Sequence, residues 1–234
     1  KMYNTLYVNG ASWLEGMGVE KNERFSYHLS KLMECSEKNV SQGGASNDWV
    51  MRTTMDYILN HRNIKNHYFV IGFSGYYRWD IWDDINQVFH KGHPTSFTHK
   101  SSFDNQVKEH GVDYAKHWKY YVEHFFSEEL MREKFIRDII LFESFLQKQD
   151  VNYLLFDTTS GLLQTTQNIF DRFVDMSWEE FCGGNHSTTT FEHTEYISKI
   201  DGHPNKVNHK KWSNYLFDII EEKSKIKEKV WPKY

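Results

Sequence analysis

Cysteine and proline are scarce in this chain of 234 residues, and long apolar runs are missing altogether. The two cysteines, Cys35 and Cys182, cannot build a disulfide framework and fit no CxxC metal pattern. They read as free thiols, which suits a reducing compartment or a particle assembled in one. Three prolines and no low-complexity tract leave nothing that reads as a disordered linker. No apolar stretch approaches the ~20 residues that a bilayer core requires, and no signal sequence is read at the start. Positive charge is also short: 28 Lys and Arg stand against 32 Asp and Glu, a formal net charge of −4. That balance gives no general attraction to a phosphate backbone. The lysines of "EEKSKIKEKVWPK" are interrupted by glutamates and read as a solvated face.

What the chain has in quantity is aromatic surface, 17% of all residues. Phe, Tyr and Trp must therefore build much of the core and some of any binding surface. The length suits one α/β domain over 1–234 with a large insertion. Residues 2–9 ("MYNTLYVN") carry β-rich character, "HYFVIGFS" (67–74) and "VNYLLFD" (151–157) read as buried strands, and a weaker strand is read near 39–41. Helical spacing appears over 22–35, 47–61 and 207–223, with Ser46 or Asn47 capping the second. Residues 112–148 read as one long helix or as two joined near Ser127, whereas 75–108 read as an irregular, aromatic-rich insertion. Residues 158–200 give no clear assignment. The alternation predicts an α/β fold with a mostly parallel sheet of four or five strands, helices on both faces and extra long helices.

In such a sheet ligands meet the carboxyl ends of the strands. Ser12 follows the first strand in "LYVNGASWLEG". It is either a nucleophile at the mouth of the sheet or a helix cap. The loop "QGGASND" is either an anion-friendly helix start or a tight turn into a capped helix. Asp201 and His203, in "DGHPNKVNHKKW", offer a base and the carboxylate that would hold its tautomer, or else a polar loop before the last helix. Among the 13 histidines, His90 and His93 have HxxH spacing and His186, His193, His203 and His209 crowd the last third. No HExxH is present, so no metal site is assigned; His209 is expected to pack at the start of the last helix.

In this order the three pieces resemble the SGNH (GDSL-like) hydrolase superfamily, and most of all its bacteriophage-encoded members, in which the glycine loop runs into Ser46-Asn47-Asp48 and an Arg52-Thr53-Thr54 helix. "NGASWLEG" is similar to the first block, with Gly10-Ala11-Ser12 in place of Gly-Asp-Ser; "GGASND" is similar to the second and "DGHPNKVNHKKW" to the fifth. The resemblance implies a flavodoxin-like three-layer sandwich, with Ser12 as nucleophile, His203 as base and Asp201 as its orienting carboxylate. It implies an oxyanion hole from the N–H groups of Ser12 and Gly44 (Gly43 being its neighbour), completed by Asn47 or Ser74. It implies no cofactor. The third block departs from the family: "IGFSGYYRWD" carries Ser74 where an asparagine donor is expected. Arg78 either binds an anionic group there or pairs with Asp80. Tyr76 and Tyr77, with Trp79, Trp82 and Phe89, either line a substrate site for a small-molecule or carbohydrate ester or cover the sheet and helices.

The activity so implied is hydrolysis of O-acyl esters by an esterase or deacetylase, in a protein with no nucleic-acid or membrane partner. A virion structural or host-attachment protein on the same fold is the alternative. Homo-oligomer or virion assembly, and a place in the host cytoplasm or the virion, stay open.

Overall fold

The computed structural model describes residues 3–84, 87–159, 173–183, 196–198 and 201–230. Its strands are β1 (Thr5–Asn9), β2 (Ser36–Asn39), β3 (His67–Phe73), β4 (Trp79–Asp83), β5 (Val88–Gly92) and β6 (Asn152–Asp157). Four of them form a parallel sheet in the order β2-β1-β3-β6. Val8 stands opposite Val70, and Val70 opposite Leu154, so the apolar runs lie in register. Beyond β6, Phe173 forms an isolated parallel bridge with Leu155.

Side chains alternate between the two faces of a strand, and both faces are covered. Tyr7, Phe69, Ile71, Phe73, Tyr153 and Leu155 meet α3 (Asn47–Asn60) and α7 (Glu128–Lys148) through Val50, Ile58, Ile139 and Phe142. Leu6, Val8, Tyr68, Val70, Leu154 and Phe156 face the other way, onto α2 (Phe25–Leu32), α8 (Trp178–Phe181) and α9 (Lys206–Val230), through Phe25, Leu29, Trp178 and Trp212. Each fully buried Leu, Ile, Val or Phe contributes about 1.5–3 kcal/mol of transfer free energy. This is why the uninterrupted runs of β1, β3 and β6 lie side by side, buried on both faces.

β2 has no such run. "SEKN" is held at the sheet edge by its ladder with β1 and by polar contacts: Arg24 Nε lies 3.0 Å from Glu37 Oε1, and Ser26 Oγ donates to the same carboxylate. The 112–148 segment is two helices, α6 (Val112–His124) and α7, and Ser127 caps the second by accepting the Leu130 N–H at 3.3 Å.

The irregular reading of 75–108 is overturned. β4 and β5 pair as an antiparallel hairpin, followed by α4 (Thr95–Thr98) and α5 (Lys100–His110). Trp79 stacks on Phe97 at 6.2 Å between ring centroids and touches Trp118, Tyr121 and Phe126. These rings form a small aromatic core of their own. Its partners are far apart in sequence, so no local period announces it. Most of 158–200, including His186 and His193, lies outside the described residues.

Candidate active site

The first site loop is shaped by two glycines, one just past the end of β1 and one in the adjacent strand β3. A Cβ on Gly10 would lie 2.6 Å from Leu14 Cδ2 and 2.8 Å from the Gly72 carbonyl; one on Gly72 would lie 2.6 Å from Leu14 Cδ1. The missing side chains let Leu14, fully buried, press α1 (Ser12–Glu15) onto the sheet. Ala11 occupies the N-cap of this turn, so Ser12 is its first helical residue and not its cap. The Ser12 hydroxyl is partly exposed and has no hydrogen-bond partner among the described residues. Gly16, in the left-handed conformation (φ 81°), closes the turn, and Asn39 Nδ2 donates to the Leu14 carbonyl at 2.7 Å.

The glycine loop comes next. The Gly43 N–H donates to Glu15 Oε2 at 2.7 Å, and Lys91 Nζ donates to the Gly43 carbonyl at 2.9 Å. Gly44 has φ +73°, is exposed, and gives its N–H to no acceptor among the described residues. The two neighbours therefore differ: one N–H is occupied and the other is open. Ser46 caps α3 by accepting from Trp49 N at 3.1 Å. Asn47 is buried and exchanges two hydrogen bonds with Ser74: Nδ2 donates to its carbonyl at 2.8 Å, and its N–H donates to Oδ1 at 2.9 Å. The Ser74 hydroxyl points to the Ala45 carbonyl at 3.5 Å. This pair stitches the end of β3 to the start of α3.

Three residues of this region escape a reading of the sequence alone. Glu15 and Lys91 set the orientation of the Gly43 peptide, and buried Asn9 donates from Nδ2 to the Val50 carbonyl, Thr53 and Thr54, locking α3 to β1. Asn9 carried a faint signal, a polar residue closing a buried run; Glu15 and Lys91 carried none.

Asp201 and His203 do meet. His203 donates its Nδ1–H to Asp201 Oδ1 at 2.6 Å, and its backbone N–H reaches the same oxygen at 3.1 Å. With the proton on Nδ1, Nε2 presents its lone pair. Partial burial would raise the Asp201 carboxyl, but the two hydrogen bonds from His203 outweigh it and hold the group below the usual range. The loop is docked on the α1 side. Tyr196 bridges Pro204 and packs its ring on Trp13 (6.3 Å), Ile197 N donates to the His203 carbonyl at 3.0 Å, and the Ile197 side chain fills the space a Cβ on Gly18 would need. Ser12 and His203 are not hydrogen-bonded to each other among the described residues. His209 is buried as expected near the start of α9, accepting the Phe25 N–H at Nδ1 (3.1 Å).

On the far side of Ser74, the Tyr76 hydroxyl donates to Glu128 Oε1 at 2.8 Å, and burial followed by that carboxylate pushes the phenol up to about 12. Tyr77 folds back over Gly75 and meets the His93 ring at 4.7 Å. Arg78 does not pair with Asp80, which takes Arg52 Nη2 at 3.5 Å instead. His90 and His93 diverge: the first packs on His110 and Tyr114, while the second accepts from Thr95 N at Nδ1. No group of three His, Cys, Asp or Glu among the described residues can hold a metal ion.

No family model matches the chain, and no curated protein matches it. Solved structures do. The psychrotrophic esterase EstA from Pseudoalteromonas sp. aligns with a TM-score of 0.53 at 10% identity, over 94% of this chain and 97% of that one. A structure of TesA aligns at 0.51 and 10%, over 92% and 97%. The acetyl xylan esterase Est2A from Butyrivibrio proteoclasticus aligns at 0.51 and 12%, over 95% of this chain and 65% of that one. These likenesses do not support a special tie to bacteriophage-encoded proteins. At such identities they speak to architecture: with four parallel strands and helices on both sides, this chain has an α/β fold like that of the GDSL hydrolases.

Proposed function

We propose that the protein is an SGNH-type serine hydrolase of O-acyl esters, with a carbohydrate ester as the first substrate class to try. One observation carries the reading. A histidine held in a single tautomer by a carboxylate at 2.6 Å sits on a loop packed against α1, the turn that begins with Ser12. A serine hydroxyl is a weak nucleophile until such a base takes its proton.

In this scheme Ser12 Oγ attacks the acyl carbonyl while His203 Nε2 accepts the hydroxyl proton. Asp201 stabilises the imidazolium that forms. Negative charge on the former carbonyl oxygen is met by the N–H groups of Ser12 and Gly44, the latter open to a ligand. Asn47 keeps a second Nδ2 hydrogen beyond the one given to Ser74, and with Ser74 it holds the two loops at fixed separation. His203 then protonates the departing alcohol. Water attacks the acyl-Ser12 ester, giving its proton to His203, and the acid leaves as Ser12 is restored. Substrate binding brings Ser12 and His203 into contact; catalytic hydrogen bonds often tighten only in the complex. The carbohydrate choice is supported by the exposed ring pair Trp82 and Phe89, 4.8 Å apart on the hairpin, and by the presence of a xylan esterase among the structural neighbours.

The test is labelling by a fluorophosphonate probe together with turnover of 4-nitrophenyl acetate. The wild type should label and turn over, and Ser12→Ala should do neither. Unchanged turnover in Ser12→Ala, or no labelling of the wild type, would leave the fold with a binding role only.

A further inference from the structure

Two basic side chains around the end of β3 have carboxylate partners. Lys134 Nζ lies 2.8 Å from Asp48 and 2.6 Å from Asp138, Arg52 lies 3.5 Å from Asp80, and Glu128 accepts the Tyr76 hydroxyl. Arg78 has no such partner. Its side chain is partly buried, and its Nη1 is shut off from solvent and meets no acceptor among the described residues. Burial lowers the guanidinium pKa, an effect the neighbouring Tyr77 only partly offsets. His93 beside it adds no second positive charge: burial, then the charge of Arg78, pushes the imidazole down to about 4. A desolvated cation without a counter-charge is costly, and proteins keep one where something else supplies the anion.

The surroundings say where and what. Arg78 lines a cleft of about 10 Å³ with Asn47, Asp48, Tyr76, Met131 and Lys134, room for one water-sized group such as a single carboxylate oxygen. Asn47 is the residue tied to Ser74, so this cleft adjoins the proposed oxyanion region. We propose that Arg78 is the anion-binding residue of the substrate cleft, and that the preferred substrate is an O-acyl ester bearing a carboxylate on the same molecule, as an O-acetylated uronic acid does. The planar guanidinium offers a carboxylate two parallel hydrogen bonds. Asp48 in the cleft, with Asp157 and Glu128 near Tyr77, weighs against the second negative charge of a phosphate. The ester half of this assignment rests on the hydrolase reading; the anion half does not.

Thermal melting of the full chain at constant ionic strength, with D-glucuronate, D-glucose or glucose 6-phosphate, reads binding without turnover. Glucuronate should raise the midpoint and glucose should not. Arg78→Gln should lose the shift and Arg78→Lys keep part of it. Without ligand, Arg78→Gln should melt no lower than the wild type, because an uncompensated charge has been removed. A clearly lower midpoint would make Arg78 a packing residue and overturn the proposal. Equal shifts from glucuronate and glucose, or a larger one from glucose 6-phosphate, would overturn it too. In turnover, the wild type should favour an O-acetyl glucuronoside over the matching O-acetyl glucoside by about tenfold or more in kcat/KM, and Arg78→Gln should erase the preference through KM. Equal kcat/KM for both esters overturns this proposal and leaves the hydrolase reading standing. An Arg78-dependent glucuronate shift with no turnover of any ester overturns the hydrolase reading and the ester half with it, and leaves the anion half standing.

Discussion

Replacing Gly72 with alanine would put a methyl group 2.6 and 2.8 Å from the two Leu14 methyls and 2.9 Å from Phe156 Cζ. Carbon atoms settle at about 3.5–4.0 Å, so Leu14 must retreat by about 1 Å. Overpacking of this kind costs about 1–3 kcal/mol, and the reduced freedom of the unfolded chain returns about 0.4–1 kcal/mol, for a net loss of about 1–2 kcal/mol. For a chain of this size that lowers the midpoint by about 2–8 °C. Leu14→Ala alone, at a fully buried side chain, should cost about 3–5 kcal/mol. In the double variant the new methyl enters the space Leu14 has vacated, so the two losses should fall short of additive by about 1 kcal/mol or more. Gly10→Ala is the control. Its Cβ also meets the Gly72 carbonyl oxygen at 2.8 Å, a backbone atom that Leu14→Ala does not move. Urea unfolding followed by circular dichroism measures the wild type, the three single variants and the two double variants with Leu14→Ala. Additive losses for Gly72→Ala with Leu14→Ala, or equal rescue of Gly10→Ala, would refute the view that the two glycines exist to seat Leu14 and the turn bearing Ser12.

Asp201→Asn should leave Nδ1 of His203 without its carboxylate and permit the wrong tautomer, lowering turnover of 4-nitrophenyl acetate by about 10³–10⁴. The pair is only partly buried, so the melting midpoint should change little. A fall in midpoint parallel to the fall in rate would make the residue structural. His209 titrates in the other sense from a stabilising ion pair. Burial first, and then the charges of His28, His203 and Arg24, hold it at about 3. Below its ordinary pKa of ~6.5 the unfolded chain binds a proton that the native state refuses, so stability is full above that value and falls by about 1.4 kcal/mol per pH unit down to the folded value. From pH 7 to pH 5 the loss from this group is about 2 kcal/mol. His209→Asn, whose Oδ1 can still accept from Phe25 N, should flatten that slope in urea titrations at the two pH values; identical slopes in both proteins would contradict the assignment.

Much of the fold was legible because its signals are local. The runs "TLYVN", "HYFVIGF" and "NYLLFD" alternate onto two buried faces, and a strand buried on both sides must be apolar at nearly every position. The cap at Ser127 and the contact between Asp201 and His203 span only a few residues, so spacing sufficed. The insertion was not legible, since Trp79 finds Phe97, Trp118 and Phe126 only after the hairpin and helices have docked. β2 was misplaced by a few residues for a related reason: an edge strand such as "SEKN" is specified by the ladder of its neighbour more than by its own side chains.

The candidate site divides along the same line. Sequence by itself determined which residue types stand after which strands: a serine after the first, a glycine pair after the second, a serine with a nearby arginine after the third, and an Asp-x-His before the last helix. Each is a property of a few adjacent residues. Tertiary structure alone decided how their polar groups are shared. It gave the Gly43 N–H to Glu15 and left that of Gly44 open, tied Asn47 to Ser74, and matched Asp80 with Arg52 so that Arg78 stands without a counter-charge. Hydrogen bonds and ion pairs between distant segments depend on distances that no local pattern contains, and those distances are set by how the layers pack.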